Sequence, residues 1–353
     1  MCFSIGCVQD FRAFDKSLQS DRIFLLSKTR LVDKKTSKSH LKKITMENSA
    51  TECLQNVSTV SLTALVPVVT LSTLAGFAAV FLNALVIWVI YRTPALRSVT
   101  NYWIISLAVA DLLIAICGVP VWCLRLLHKA KLIKFNVHHL FTVIVVLTLS
   151  SSSMSLLALS YDRFVGVVSP FEYHTRLTRA RCGKIVVGIW VSSLSAAFAT
   201  LRKKCAISPE GHFALFTGIF GIPFLFIGYI YFRIFNETKR QKRLIKAQIA
   251  TSSNARDQPS FLRENKAAMT IAMVTGSFAL CWLPSWVDSI IHLSSPTLWN
   301  ETQVWLATTT LACFPPVLNP ILYSVRIEAF RNTFRTVAFR NRKRNSVNVI
   351  RNF

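Results

Sequence analysis

The chain has 353 residues, 52% of them hydrophobic, and a mean hydropathy of +0.43. That is too apolar for a soluble protein of this size. The formal net charge of +25 would suggest nucleic acid if it were spread along the chain, but it is segregated. The nine cysteines are scattered and form no CxxC pair, which speaks against a metal site.

Residues 1–60 are polar, carry ten Lys and Arg, and lack sustained apolar periodicity. No apolar signal region follows Met1. Met46, followed by Glu47-Asn48-Ser49-Ala50-Thr51-Glu52, is the expected natural start, with 1–45 an over-extended gene model; the alternative is a disordered tail. The expected organisation is an extracellular tail over 1–65, a membrane domain over 66–325, and an amphipathic helix with a cytoplasmic tail over 326–353.

Seven apolar stretches approach the ~20 residues that a membrane helix needs. They fall at 66–91, 101–125, 138–164, 184–201, 213–236, 266–292 and 302–325. The third is polar at its centre (Ser150 to Ser153), which suits a helix buried among others. With the N-terminus outside, the internal segments hold 23 Lys and Arg and the external loops 7. The positive-inside rule then favours an external N-terminus and an internal C-terminus. Topology and contact with anionic lipid account for the charge. Asn56 and Asn300 are glycosylation acceptors on the expected outside, and Asn236 matches the same pattern on the inside. The longest internal loop, 236–263, opens on a basic extension of the fifth helix. After Tyr323, Ile327, Phe330, Phe334 and Val337 recur at helical spacing, as in a surface helix lying on a membrane. The predicted fold is therefore all-α: a seven-transmembrane helix bundle with a short amphipathic helix after helix 7.

Single polar residues break the apolar helices. Asp111 stands alone in helix 2, where a carboxylate at mid-membrane costs roughly 2.5–3.5 kcal/mol and marks a functional interior. Helix 3 ends in Asp162-Arg163-Phe164, and helix 7 in Asn319-Pro320-Ile321-Leu322-Tyr323. To these add Asn83 in helix 1, Trp190 in helix 4, Pro223 and Tyr231 in helix 5, and Phe278 with Cys281-Trp282-Leu283-Pro284 in helix 6. Over about 66–340 this ordered set resembles the rhodopsin-like (class A) G-protein-coupled receptors, with no subfamily assigned.

The resemblance implies a receptor that signals to a heterotrimeric G protein from the plasma membrane. It implies a coupling and activation switch of Asp162, Arg163, Phe164, Tyr231, Asn319, Pro320 and Tyr323, with Glu264 pairing Arg163 at the base of helix 6. Opening of that pair would expose a cleft to the G protein, a two-state element. It implies a toggle of Phe278, Trp282 and Pro284. Asp111, Ser152 and Asn319 match a sodium pocket, the sole candidate cofactor being an allosteric sodium ion. Pro315 and Pro316 depart from the family here and offer no side-chain ligand.

The ligand pocket is expected around Val145, Trp282, Trp286, Asp288 and Cys313. Val145 stands where amine receptors carry their aspartate, which disfavours an amine. Helix 7 holds no lysine, which opposes a retinal pigment; Cys313 occupies that place. His138 replaces the usual helix 3 cysteine, so Cys205 pairs with Cys53 or Cys123 or stays free. Repeated halves of a transporter are absent, and so is any Ser/Lys or paired-Asp constellation of an intramembrane enzyme. The mouth is basic: Arg125, His128, Lys129, Lys131, Lys134, His138, His139, Arg202, Lys203 and Lys204. Such a field concentrates anions, so an acidic head on an apolar body is expected, as in a lipid acid or acidic peptide. The alternative is solvated loop charge, screened beyond ~8–10 Å.

Overall fold

A computed structural model describes residues 61–94, 98–201, 209–251, 258–294, 301–326 and Arg331. The tail 1–60 with Cys53 and Asn56, the stretch 202–208 with Arg202, Lys203, Lys204 and Cys205, Asn300, and the expected surface helix beyond Arg326 lie outside them. So does the side chain of Glu264.

The described chain is helical. Helix α1 is Leu62–Arg92, α2 Thr100–Lys129, α3 His138–Val168 and α4 Arg179–Ala199. Helix α5 covers 209–251, α6 is Gln258–Ser294, α7 Glu301–Leu311 and α8 Pro315–Arg326. These provide seven spans long and apolar enough to cross a membrane, the seventh built from α7 and α8. The chain is thus a multi-pass membrane protein.

Several boundaries run past the apolar segments. α4 begins at Arg179, not 184, because Thr178 caps it: its Oγ1 accepts from the Arg181 N–H at 3.3 Å. α2 continues to Lys129, a full turn beyond 125. α5 and α6 extend through most of the expected internal loop, to Thr251 and from Gln258. The seventh segment, expected as one helix, breaks at 312–314. Pro315 and Pro316 have no N–H to give the preceding turn, so they start a new helix instead. Cys313 therefore sits in a turn and not within a helix.

α3 is the axis of the bundle, packed against α2, α4, α5 and α6. Its serines make this possible: Ser151, Ser153, Ser155 and Ser160 are fully buried. Small side chains let membrane helices approach closely where water supplies no driving force. Ser151 and Ser160 return their hydroxyls to Leu147 and Leu156 carbonyls at 2.9 and 2.7 Å. Ser155 instead reaches Ser106 of α2 at 2.9 Å, and the Trp190 indole of α4 donates to Ser106 at 3.1 Å. Three helices are pinned by that one chain. Large apolar residues such as Phe77, Phe81, Leu225 and Phe232 face outward, as lipid contact requires.

Two wide turns interrupt otherwise regular helices, Ile114–Gly118 in α2 and Thr217–Gly221 in α5. Each is a π turn, holding one residue more than an α turn. Glycine at 118 leaves room for the tip of the Ile114 side chain, which a β-carbon there would force to shift, and a β-carbon would lie 3.4 Å from Ile144 of α3.

Candidate functional site

At one end of the bundle, Asp162 is wholly buried and fully engaged. It accepts from Arg163 through Nε at 2.9 Å and also through Nη2. Thr100 Oγ1 donates to it at 2.9 Å, and so does the Tyr173 hydroxyl. Arg163 in turn gives Nη2 to Thr100 at 2.6 Å. The arginine is thus folded onto its own neighbour and held by α2. Tyr173 follows α3, in the short helix Tyr173–Arg176. Burial first, then the Asp162 charge, pushes its phenol up to about 12. Tyr231 is within 3.5 Å of the Ser160 hydroxyl, and Phe164 packs beside it in the same cluster.

In the middle of the bundle, Asn319 Nδ2 donates to Asp111 Oδ2 at 2.9 Å, joining α8 to α2. Both residues are buried, and the Asn319 amide oxygen has no donor. Ser152 is buried on α3, and Tyr323 is buried one helical turn past Asn319. Asn83 closes the other side. Its amide donates to the Pro316 carbonyl at 2.7 Å and to the Ala79 carbonyl at 2.9 Å. The Pro316 carbonyl would normally bond the N–H of residue 320, but that residue is Pro320 and has none. Asn83 supplies the missing donor.

Toward the opposite end, α2, α3, α5, α6, α7 and the break before α8 enclose a cavity of about 260 Å³. Val145, Trp282, Asp288 and Cys313 all line it. Trp286 does not. Its indole turns to α5 and donates to Thr217 at 3.1 Å. Beside the cavity floor five aromatic rings close a circle: Trp282 to Phe278 at 6.2 Å, Phe278 to Phe224 at 5.8 Å, Phe224 to Phe220 at 4.6 Å, Phe220 to Phe216 at 5.8 Å and Phe216 back to Trp282 at 6.1 Å. The ring joins α6 to α5. Pro284 sits inside α6 two residues beyond Trp282 and withdraws a backbone N–H there.

Arg125 is placed differently from the exposed mouth charge expected of it. It is 6% exposed and forms part of the cavity wall. Its guanidinium carbon lies 5.0 Å from the Phe141 ring centre and 5.1 Å from that of Trp305. Lys129 covers Trp305 at 3.9 Å, and Trp122 meets Phe141 and Trp305 at 5.5 and 5.1 Å. Sequence reading missed Trp122, Phe141 and Trp305. The available signal was Trp122-Cys123-Leu124-Arg125, an arginine three residues after a tryptophan and hence on the same helical face. Cys123, one possible partner of Cys205, is a free thiol 3.8 Å from the Thr73 hydroxyl. His138 opens α3, its N–H bonded to Asn136.

Among the described residues, these hydrogen bonds pair no nucleophile with an activating base. The arrangement joins a cavity at one end, through buried aromatic and polar contacts, to a sequestered arginine at the other. Comparison with known proteins agrees. The chain is 28% identical over 289 residues to the adenosine receptor A2a of Canis lupus familiaris, covering 73% of this chain and 69% of the relative. The Homo sapiens adenosine receptor A2a is 27% identical over the same length and coverage. The alpha-1A adrenergic receptor of Rattus norvegicus is 27% identical over 297 residues, 72% of this chain and 64% of the relative. Residues 82–323 match the family model of the 7 transmembrane receptors (rhodopsin family). The chain belongs to that family, and is a receptor and not an enzyme.

Proposed function

We propose that this receptor sits in the plasma membrane with its N-terminus outside, takes an extracellular ligand into the cavity floored by Trp282, and activates a heterotrimeric G protein at the Arg163 end. The observation that carries this reading is the continuity from cavity to switch. The wall residue Trp282 stacks on Phe278, and Phe278 belongs to the same buried core as Tyr323. A ligand acts by binding one arrangement of such a network better than the other. In the described arrangement Arg163 is withdrawn onto Asp162, as a resting state requires. Activation releases Arg163 and reshapes that end, with Phe164, Tyr231, Asn319, Pro320 and Tyr323 repacking around it. Glu264 is the further restraint that we assign to Arg163.

The ligand we propose has an acidic head and an apolar body. Val145 presents a branched alkyl group to the cavity, so α3 offers an amine no counter-charge, and the carboxylate of the lining, Asp288 on α6, is already engaged in an interaction of its own. A peptide with an acidic terminus presents the same chemistry. Asp111, Ser152 and Asn319 form the proposed sodium pocket. The fit is an oxygen set that suits a hard cation: the Asp111 carboxylate, and the Asn319 amide oxygen that no donor occupies. Bound there, the ion would supply positive charge beside Asp111 and favour the resting state. Asn56 and Asn300 are proposed glycosylation sites, and membrane lipids are proposed partners of the basic segments at the Arg163 end.

The test is nucleotide exchange. Receptor purified into nanodiscs is mixed with each class of Gα heterotrimer, with and without agonist from a library screened in cells expressing residues 46–353. Exchange above that of empty nanodiscs is expected with at least one heterotrimer. Solute transport without exchange on any heterotrimer would overturn the proposal.

A further inference from the structure

We infer that Arg125 receives the anionic group of the ligand, and that the ligand is a single-chain amphiphile headed by a carboxylate or a phosphate. This rests on the cavity being the receptor's ligand site. Arg125 is buried, at 6% exposure, and no described carboxylate lies within ion-pair range of it. Asp288, on the facing wall, has a partner other than Arg125. Burial of a guanidinium without a counter-ion is costly. The faces of Phe141 and Trp305 offset part of that cost by cation–π attraction. They satisfy no N–H, and a guanidinium carries five in a fixed fork that matches an oxyanion.

Two further groups of the lining, one on α2 and one on α6, lack partners. The Trp122 indole N–H and the Ser285 hydroxyl are both buried without a hydrogen bond. Each can donate and an anion's oxygens accept, with a side-chain shift needed to uncover the Trp122 and Ser285 atoms to the ligand. Another part of the lining suits the other half of the molecule: Val145, Val146, Leu149 and Ile219 offer no polar side-chain atom. The volume of about 260 Å³ lies at the small end of ligand sites. It suits one alkyl chain better than two. Electrostatic capture by the basic mouth would then end in a specific, desolvated contact at Arg125.

The experiment uses full-length receptor in nanodiscs of neutral lipid, with empty nanodiscs as the blank. The probes are dodecanoate, dodecyl phosphate, methyl dodecanoate and dodecylamine, each below its micellar concentration. The expected result is binding of at least one of the two anions, with the ester and the amine at least roughly tenfold weaker. Arg125→Gln should weaken the anion by roughly tenfold to a hundredfold, the range of a lost charge-assisted hydrogen bond. It should leave the ester unchanged, and Arg125→Lys should fall between. Preference for dodecanoate or dodecyl phosphate identifies the head group. The inference is overturned if neither anion binds the wild type, if ester and acid bind alike, or if folded Arg125→Gln binds the anion as the wild type does. If Arg125→Gln fails to fold, the wild-type comparison of acid with ester decides alone. Basal nucleotide exchange of the same nanodiscs reports separately on the receptor reading.

Discussion

Removal of Asn83 should cost stability in a way that depends on a proline far away in sequence. Asn83 is 1% exposed, and its amide reaches the Pro316 carbonyl at 2.7 Å. In Asn83→Leu that carbonyl is left buried with no donor, since Pro320 offers none. An interhelical hydrogen bond in a membrane contributes about 0.6 kcal/mol on average and about 1.7 at most, and a stranded buried acceptor costs about 1–3 kcal/mol. Together these place the loss at about 1–2 kcal/mol, or a few degrees of Tm by the rule of ~2–4 °C per kcal/mol. Pro320→Ala restores an N–H one turn beyond Pro316, so the helix can satisfy its own carbonyl. In that background Asn83→Leu should cost less, with a coupling of about 1 kcal/mol, well above the ~0.3–0.5 expected of independent sites. The assay is thermal unfolding of the wild type, the two single variants and the double variant in nanodiscs, without ligand. Equal costs of Asn83→Leu in the wild type and in the Pro320→Ala background would refute the reasoning, because the bond would then be incidental to the proline.

Asp111→Asn should lower agonist-driven signalling at normal surface expression, and should remove any sodium dependence of agonist affinity; wild-type signalling would reduce Asp111 to a packing residue. Arg163→Ala should abolish nucleotide exchange while ligand binding remains measurable. Glu264→Ala should raise basal exchange within the 1–3 kcal/mol typical of allosteric coupling, roughly 5–150-fold, and an unchanged basal rate would mean that no such restraint exists. Tyr173 holds its proton to about 12 in the folded receptor against 10.0 for a free phenol. A group whose folded pKa is raised contributes stability that is complete below 10.0 and is lost as pH rises toward about 12. Wild-type melting temperature should therefore fall across that window, and Tyr173→Phe should flatten the fall; parallel curves would count against the Tyr173–Asp162 bond.

The polar residues inside the apolar segments were the most legible features. Asp111, Arg163 and Asn319 each stand out because a charge or amide in hydrocarbon needs a reason, and each proves to be buried and bonded. The cavity was legible in part. Val145 follows from counting back along α3 from Arg163, which works where a helix stays regular; Trp282 follows from its place in Cys281-Trp282-Leu283-Pro284, and Cys313 from matching the place of a retinal lysine. Trp286, expected in the pocket with Trp282, turns instead toward Thr217, where its N–H finds an acceptor. Arg125 was read as a loop charge because hydropathy ends the segment at 125. The helix itself runs on to Lys129, and aromatic rings from α3 and α7 cover the arginine. Such cover depends on partners distant in sequence, which no local pattern encodes.

The wide turns of α2 and α5 bear on how such a receptor changes its chemistry. A residue added to a helix either rotates everything beyond it by about 100° or is swallowed by one π turn, leaving the far segment facing as before. Both helices take the second course, at Ile114–Gly118 and Thr217–Gly221. Each is therefore two rotors on one shaft, phased independently. Should the turn in α2 relax to ordinary pitch with no residue lost, Trp122 and Arg125 would swing by about 100°, away from Phe141 and Trp305. Asp111, on the near side of the turn, would keep its bond to Asn319. A slip of a single residue thus exchanges the cavity wall as a set and leaves the switch blind to the event. A lineage that kept the residue but lost the wide turn would inherit a new ligand chemistry on an old transmission.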